Sequence, residues 1–215
     1  MMVVKKVTTG LSKYRPVCFK KKYYLCEGLS NMDTKQNILD TASRLFYHQG
    51  YNSTGINQII EEAGVAKSSL YQHFKSKEDL LIEYLEVVVK QTMQRLRDVA
   101  AKKSLSREKI SAIFKFASEY TGSKDFYGCN FLNIAAEIPK GNHRVYALIK
   151  QQKNEIRNLF AEILIIDAKG KDAPRKVASL ADEIYLLFDG ALMSCKIYDE
   201  SWPVLTAHKA ALKLV

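Results

Sequence analysis

One turn constrains this chain more than any other feature. Ala63-Gly64-Val65-Ala66-Lys67-Ser68-Ser69-Leu70-Tyr71-Gln72-His73-Phe74 closes a run of three short helical patterns that starts at Thr34. Ile38, Leu39, Ala42, Leu45 and Phe46 fall on one face of a first helix, which Gly50 is placed to stop. Ile56, Ile59, Ile60 and Ala63 mark a second helix, with Thr54 as its expected N-cap. Leu70 and Phe74 face inward from a third. Two helices around a tight Gly turn, the second polar and basic on its outer face, are the parts of a helix-turn-helix.

Composition agrees with a helical reading. The 215 residues include only 10 Gly and 4 Pro, too few for a turn-rich sheet protein, so an all-α fold is expected. No apolar run, Ile163-Leu164-Ile165-Ile166 included, approaches the roughly 18 residues that span a bilayer, and a cytoplasmic protein with no membrane role is expected. Cys18, Cys26, Cys129 and Cys195 show no CxxC and no accompanying His spacing. No zinc site, disulfide framework or cofactor is therefore expected.

The net charge of +10 is unevenly placed. Residues 1–31 hold seven Lys or Arg against Glu27 alone, whereas residues 32–78 balance five basic against five acidic residues. A case for nucleic acid must therefore rest on the motif and not on the basic average. The basic extension has three readings. Met32 directly precedes the first patterned helix, and Glu27-Gly28 can be encoded as a purine-rich run, so Met32 could be the natural start. The alternatives are a disordered tail and a basic arm that reaches a minor groove.

Beyond the head, Ser76 is an N-cap, with Glu78 and Asp79 in the first turn of a long helix reaching about Ala100. Further helices are expected at about 107–120, 129–138, 143–166, 174–198 and 203–214. The expected division is an extension over 1–31, a DNA-binding head over 32–78 and a second domain over 79–215.

If Leu70 and Phe74 point inward, Lys67, Ser68, Ser69, Tyr71, Gln72 and His73 remain toward DNA. Gln72 suits an adenine edge, and Lys67 a guanine or a phosphate. Tyr71, His73, Lys75 and Lys77 suit the sugar-phosphate backbone. The same residue types also suit an ordinary solvated helix face.

The spacing as a whole goes further. Ile38-Leu39-x-x-Ala42-x-x-Leu45-Phe46-x-x-x-Gly50-Tyr51-x-x-Thr54-x-Ile56-x-x-Ile59, then Ala63-Gly64-Val65, Tyr71-x-His73-Phe74 and Lys77-Glu78-x-Leu80, resembles the TetR family of bacterial regulators. The resemblance implies an N-terminal three-helix head and a helical C-terminal domain that dimerises and binds a small effector. It also implies phosphate contacts for Thr54, Tyr71, His73 and Lys77. Two positions depart from the pattern: Gly55 stands where a second hydroxyl is frequent, and Ala66 where Ser or Thr often caps the recognition helix.

A head this small reads few base pairs, so a homodimer on a palindromic double-stranded operator is expected. Leu180, Ile184, Leu187 and Ala191, with Leu205, His208 and Leu212, are the candidate dimer face, beside Gly190 and Ser194. A single monomer core is the other reading. Phe116, Tyr120, Tyr146 and Phe188 are the candidate aromatic lining of an effector pocket. The segment Gly128–Glu137 resembles the start of the sixth helix in one subgroup of that family. There, Asn133 and Glu137 are expected to orient a ligand, and Cys129 to pack or to sense oxidants. The scattered histidines, His48, His73, His143 and His208, suggest no enzyme. A helical adaptor that has lost DNA binding is the alternative.

Overall fold

The computed structural model describes residues 33–215; the alternative readings of the basic extension, and Cys18 and Cys26, lie outside the described residues. Among the described residues there are nine α-helices and no strand: α1 Thr34–Gln49, α2 Ile56–Ala63, α3 Lys67–His73, α4 Lys77–Ala101, α5 Ser106–Thr121, α6 Asn130–Glu137, α7 His143–Leu164, α8 Ala173–Tyr198 and α9 Trp202–Leu214. Each expected helix is present, with ends within about two residues of the periodicity. None is long and apolar enough to cross a membrane.

The head is a three-helix unit built on one small core. Ile38, Leu39, Ala42, Leu45 and Phe46 of α1 are buried with Ile59, Leu70 and Phe74. Gly64 ends α2 in the left-handed conformation, φ 64° and ψ 34°. The Gly64 N–H donates to the Glu61 carbonyl (3.1 Å) and the Val65 N–H to that of Ile60 (3.2 Å), which satisfies the last carbonyls of α2 and turns the chain sharply. Asn37 of α1 locks the corner by donating to the Ala63 carbonyl at 2.6 Å.

The N-cap of α2 is Gly55, not Thr54. Thr54 is fully buried; its hydroxyl donates to the Gly50 carbonyl at 2.7 Å and accepts from Gln49 at 3.1 Å. Ala66 precedes α3 without a side-chain cap. Ser76 does cap α4: its Oγ accepts from the Asp79 N–H at 3.0 Å and donates to the Asp79 carboxylate at 2.8 Å.

Helix α4 then carries the core into the second domain. Leu80, Leu81, Tyr84 and Leu85 are buried, and α4 packs against α1 of the head as well as α5, α6 and α7. Arg144 of α7 reaches back to Glu78 (3.1 Å) and Asp79 (2.9 Å), and Asn142 to Glu78 (2.6 Å). These exposed pairs orient the helix start more than they stabilise it. Helices α8 and α9 pack on each other, with α5 and α7 beneath.

Removing the α4 cap with Ser76→Ala is expected to lower unfolding free energy by about 1 kcal/mol. Emptying the head core with Phe74→Ala is expected to cost about 3–5 kcal/mol. Urea denaturation of the full chain checks both, and equal effects would contradict the packing described.

Candidate DNA-binding face and effector cavity

Helix α3 is anchored by Leu70 and by Phe74 just after its end, both buried, so its opposite face stands in solvent. On that face Lys67, Ser68, Tyr71, Gln72 and His73 are exposed, with Lys75 beyond them and Ser69 half-buried at the edge. These are short or polar side chains on one convex helix, the shape a major groove admits. Two expected members are placed differently. Thr54 spends its hydroxyl inside the head, and so it is not presented to a phosphate. Lys77 is half-buried with its Nζ 4.2 Å from the centre of the Tyr51 ring; burial pulls its pKa down while Glu137 pulls it up. Lys77 therefore serves the joint between the domains as much as the outer face.

Behind the head, α4, α5, α6, α7 and α8 surround a cavity of about 110 Å³. Of the residues expected at an effector site, Phe116, Tyr120, Cys129 and Phe188 line it. Phe131, Phe126 and Ile156 extend the apolar wall. Sequence reasoning missed its polar lining, which includes Tyr47, Tyr84, Gln91, Thr92, Arg95, Asn130, Gln152, Lys153 and Asp189. For Tyr47 there was a signal, because it is bulky and lies beside, not on, the apolar stripe of α1.

Three other expected lining residues lie elsewhere. Tyr146 donates to the carbonyl of Ala135 (3.1 Å) and ties α7 to α6. Asn133 donates to the Tyr127 carbonyl (2.9 Å) and accepts from Lys196 (2.6 Å), facing the loop before α6 and the end of α8. Glu137 points to the head: its carboxylate accepts from the Asn52 N–H at 2.6 Å, and its carbonyl from the Asn52 side chain at 3.0 Å. Gly50 permits this approach, since a Cβ there would stand 2.9 Å from the Glu137 carboxylate, and its φ is 94°.

The polar lining is largely engaged. Tyr47 and Tyr120 share a 2.8 Å hydroxyl bond, and Tyr47 also bonds the Gly128 carbonyl (3.1 Å) and the Tyr127 N–H (3.0 Å). Burial drives the Tyr120 pKa well above the ordinary tyrosine value, so it remains a neutral donor. Tyr84 donates to Asn130. Lys153 is ion-paired with Asp189 and lies 3.5 Å from the Cys129 sulfur. Burial works against the lysine charge, yet Cys129 and Asp189 outweigh it and raise its pKa. Beside this pair, burial and the Asp189 charge lift Tyr185 to about 12.

The expected dimer face divides in two. Ile184 and Ala191 are buried within the chain, and His208 stacks on Phe114 (5.6 Å between centres) with Ser111 3.0 Å from its Nε2. Ile184 and Ala191 belong to the monomer core and are not open to a partner, whereas His208 is half-buried. Leu180, Leu187 and Leu212 are half-buried, while Leu205 is exposed. The outward stripe of α8 instead carries Leu186, 66% exposed, and Ile197, 72% exposed, followed by Tyr198 and then Trp202 of α9. Gly190 lies on that stripe with nothing within 4 Å of where a Cβ would be.

Comparison with known proteins agrees with this geometry. Residues 38–84 match the family described as "Bacterial regulatory proteins, tetR family". The chain is 38% identical over 165 residues to the HTH-type transcriptional regulator LmrA of Bacillus subtilis, covering 74% of this chain and 88% of that one. SCO4454, a TetR-family transcriptional regulator from Streptomyces coelicolor, superposes with a TM-score of 0.76 at 25% identity, over 84% of this chain and 88% of that one. CifR, solved with a 26 bp operator DNA, shares the fold at a TM-score of 0.71 and 21% identity, over 86% of this chain and 97% of that one. The chain belongs to the TetR family of bacterial regulators: it is a helix-turn-helix transcriptional regulator and not an enzyme.

Proposed function

We propose that the protein is a repressor that binds a palindromic operator as a homodimer in the cytoplasm and leaves it when the cavity takes up a small, largely apolar or aromatic effector. The observation that carries this reading is Tyr47, a residue of the DNA-binding head that lines the cavity of the second domain.

On DNA, α3 lies in the major groove, with Gln72 and Lys67 at base edges and Tyr71, His73 and Lys75 on the backbone. Two heads are needed because one offers few base contacts. The second copy docks on the apolar stripe of α8 and α9, where Leu186, Ile197, Trp202 and Leu205 are exposed together and Gly190 allows close approach.

Two connections link cavity and head. Tyr47 bonds both Tyr120 and the backbone at Gly128, directly beside the ligand space. Helix α6, about 12 Å long, has Cys129, Asn130 and Phe131 at the cavity and Glu137 clasping Asn52 of the head at its other end. A ligand that displaces the start of α6 or Tyr47 changes the seat of α1 and so the spacing of two paired heads. It binds better to one spacing and shifts the population toward it.

Three outcomes follow. Gln72→Ala is expected to cost about 1–3 kcal/mol of discrimination at each base it reads, seen as relaxed preference in competition gel shifts on the fragment upstream of the gene. An unchanged preference would remove Gln72 from base readout. Glu137→Ala is expected to speed hydrogen exchange at the Asn52 amide at least about tenfold, since that N–H loses its charged acceptor. Unchanged exchange would mean that the clasp carries no coupling. Leu186→Glu with Ile197→Glu is expected to yield a folded monomer by sedimentation and circular dichroism, whereas a persistent dimer would place the interface elsewhere.

A further inference from the structure

One residue of the cavity lining carries a buried atom that the protein itself does not satisfy. Gln152 of α7 lines the space and is only 2% exposed, and its Oε1 is sealed from solvent without a hydrogen-bond partner. Among the described residues it is the buried side-chain oxygen or nitrogen left in that condition. A carbonyl oxygen stripped of water and left unpaired is costly, and such atoms are rare in native proteins. Three other donors of the cavity lining are committed elsewhere: Lys153 to Asp189, Tyr84 to Asn130, and Tyr120 to Tyr47. What Gln152 lacks is a donor.

The surroundings define the rest of the ligand. Phe116, Phe131 and Phe188 form the apolar wall of the same cavity, and rings of this kind favour flat aromatic partners placed edge-on or offset. We propose that the effector is a flat aromatic molecule bearing an N–H or O–H donor, and that this donor bonds to Gln152 Oε1. The assignment rests on the reading of the cavity as the effector site. It adds the polar group that the ligand must carry and the residue that selects for it. An aromatic of the same shape without the donor keeps the wall contacts and leaves the oxygen unpaired. The discrimination therefore resides in that one bond.

Indole and benzothiophene test this directly, being nearly the same shape with an N–H in one and a sulfur in the other. Titration calorimetry on the full chain is expected to show indole binding at least about tenfold tighter. In Gln152→Leu, which keeps the bulk and removes the acceptor, that gap is expected to close while both compounds still bind. Equal binding by the intact protein, or a gap that survives in Gln152→Leu, would overturn the donor assignment and leave the cavity standing as a ligand site. Binding of neither compound would count against both readings. A second measurement needs no ligand: the thermal midpoint of Gln152→Leu is expected to equal or exceed that of the unmodified chain. A clear fall would mean that Oε1 has a partner in the folded protein, and the proposal would fail.

Discussion

Helix α4 has to serve both ends of one continuous core with a single rod. Its first turns close the head, where Leu80 and Leu81 are fully buried, and its next turns place Tyr84 and Leu85 under the second domain. A rigid helix cannot tilt at one end of the core without tilting at the other, because packed interiors resist continuous deformation. The start of α4 is therefore fixed from several sides. Ser76 caps it, and Arg144 of α7 and Asn142, the α7 N-cap, hold Glu78 and Asp79. The contacts between the head and the cavity wall are built around this constraint.

Helix α6 is short and contributes two buried residues, Phe131 and Ile134. Its two ends nevertheless do different work, one at the cavity and one at the Gly50–Asn52 corner. Between them, buried Phe131 and Ile134 and the Tyr146 hydroxyl on the Ala135 carbonyl tie α6 to its neighbours. Tyr47 offers a parallel route that needs no helix movement, since a head side chain already stands in the cavity wall. Both routes reach α1, which positions the recognition helix through Leu70 and Phe74.

Much of this was legible in the sequence because helices announce themselves through period and caps. The pattern from Ile38 to Phe46, the Gly64 turn and the Ser76 cap gave the head nearly residue for residue. Direction was harder to read. Thr54 resembles a cap and a phosphate ligand, but its hydroxyl turned inward to Gly50, which only the folded corner determines. Asn133 and Glu137 lie one turn apart on α6, yet both point away from the cavity, to Lys196 and to Asn52. Helix α8 is apolar nearly all round, so its sequence could not say that Ile184 and Ala191 face the core while Leu186 and Ile197 face outward. The polar half of the cavity was hidden for a related reason. Gln152 and Lys153 sit in a long charged helix, where glutamine and lysine ordinarily face solvent.

Regulation by this protein requires α3 to meet DNA. The most direct measurement is binding of the full chain to the fragment upstream of its own gene, followed by gel shift across a salt series. A discrete complex whose logarithmic affinity falls linearly and steeply with the logarithm of salt is predicted, because Lys67, Lys75 and their neighbours displace counterions from phosphates. A complex indifferent to salt, or none on that fragment or on any segment of the genome offered in competition, would contradict it.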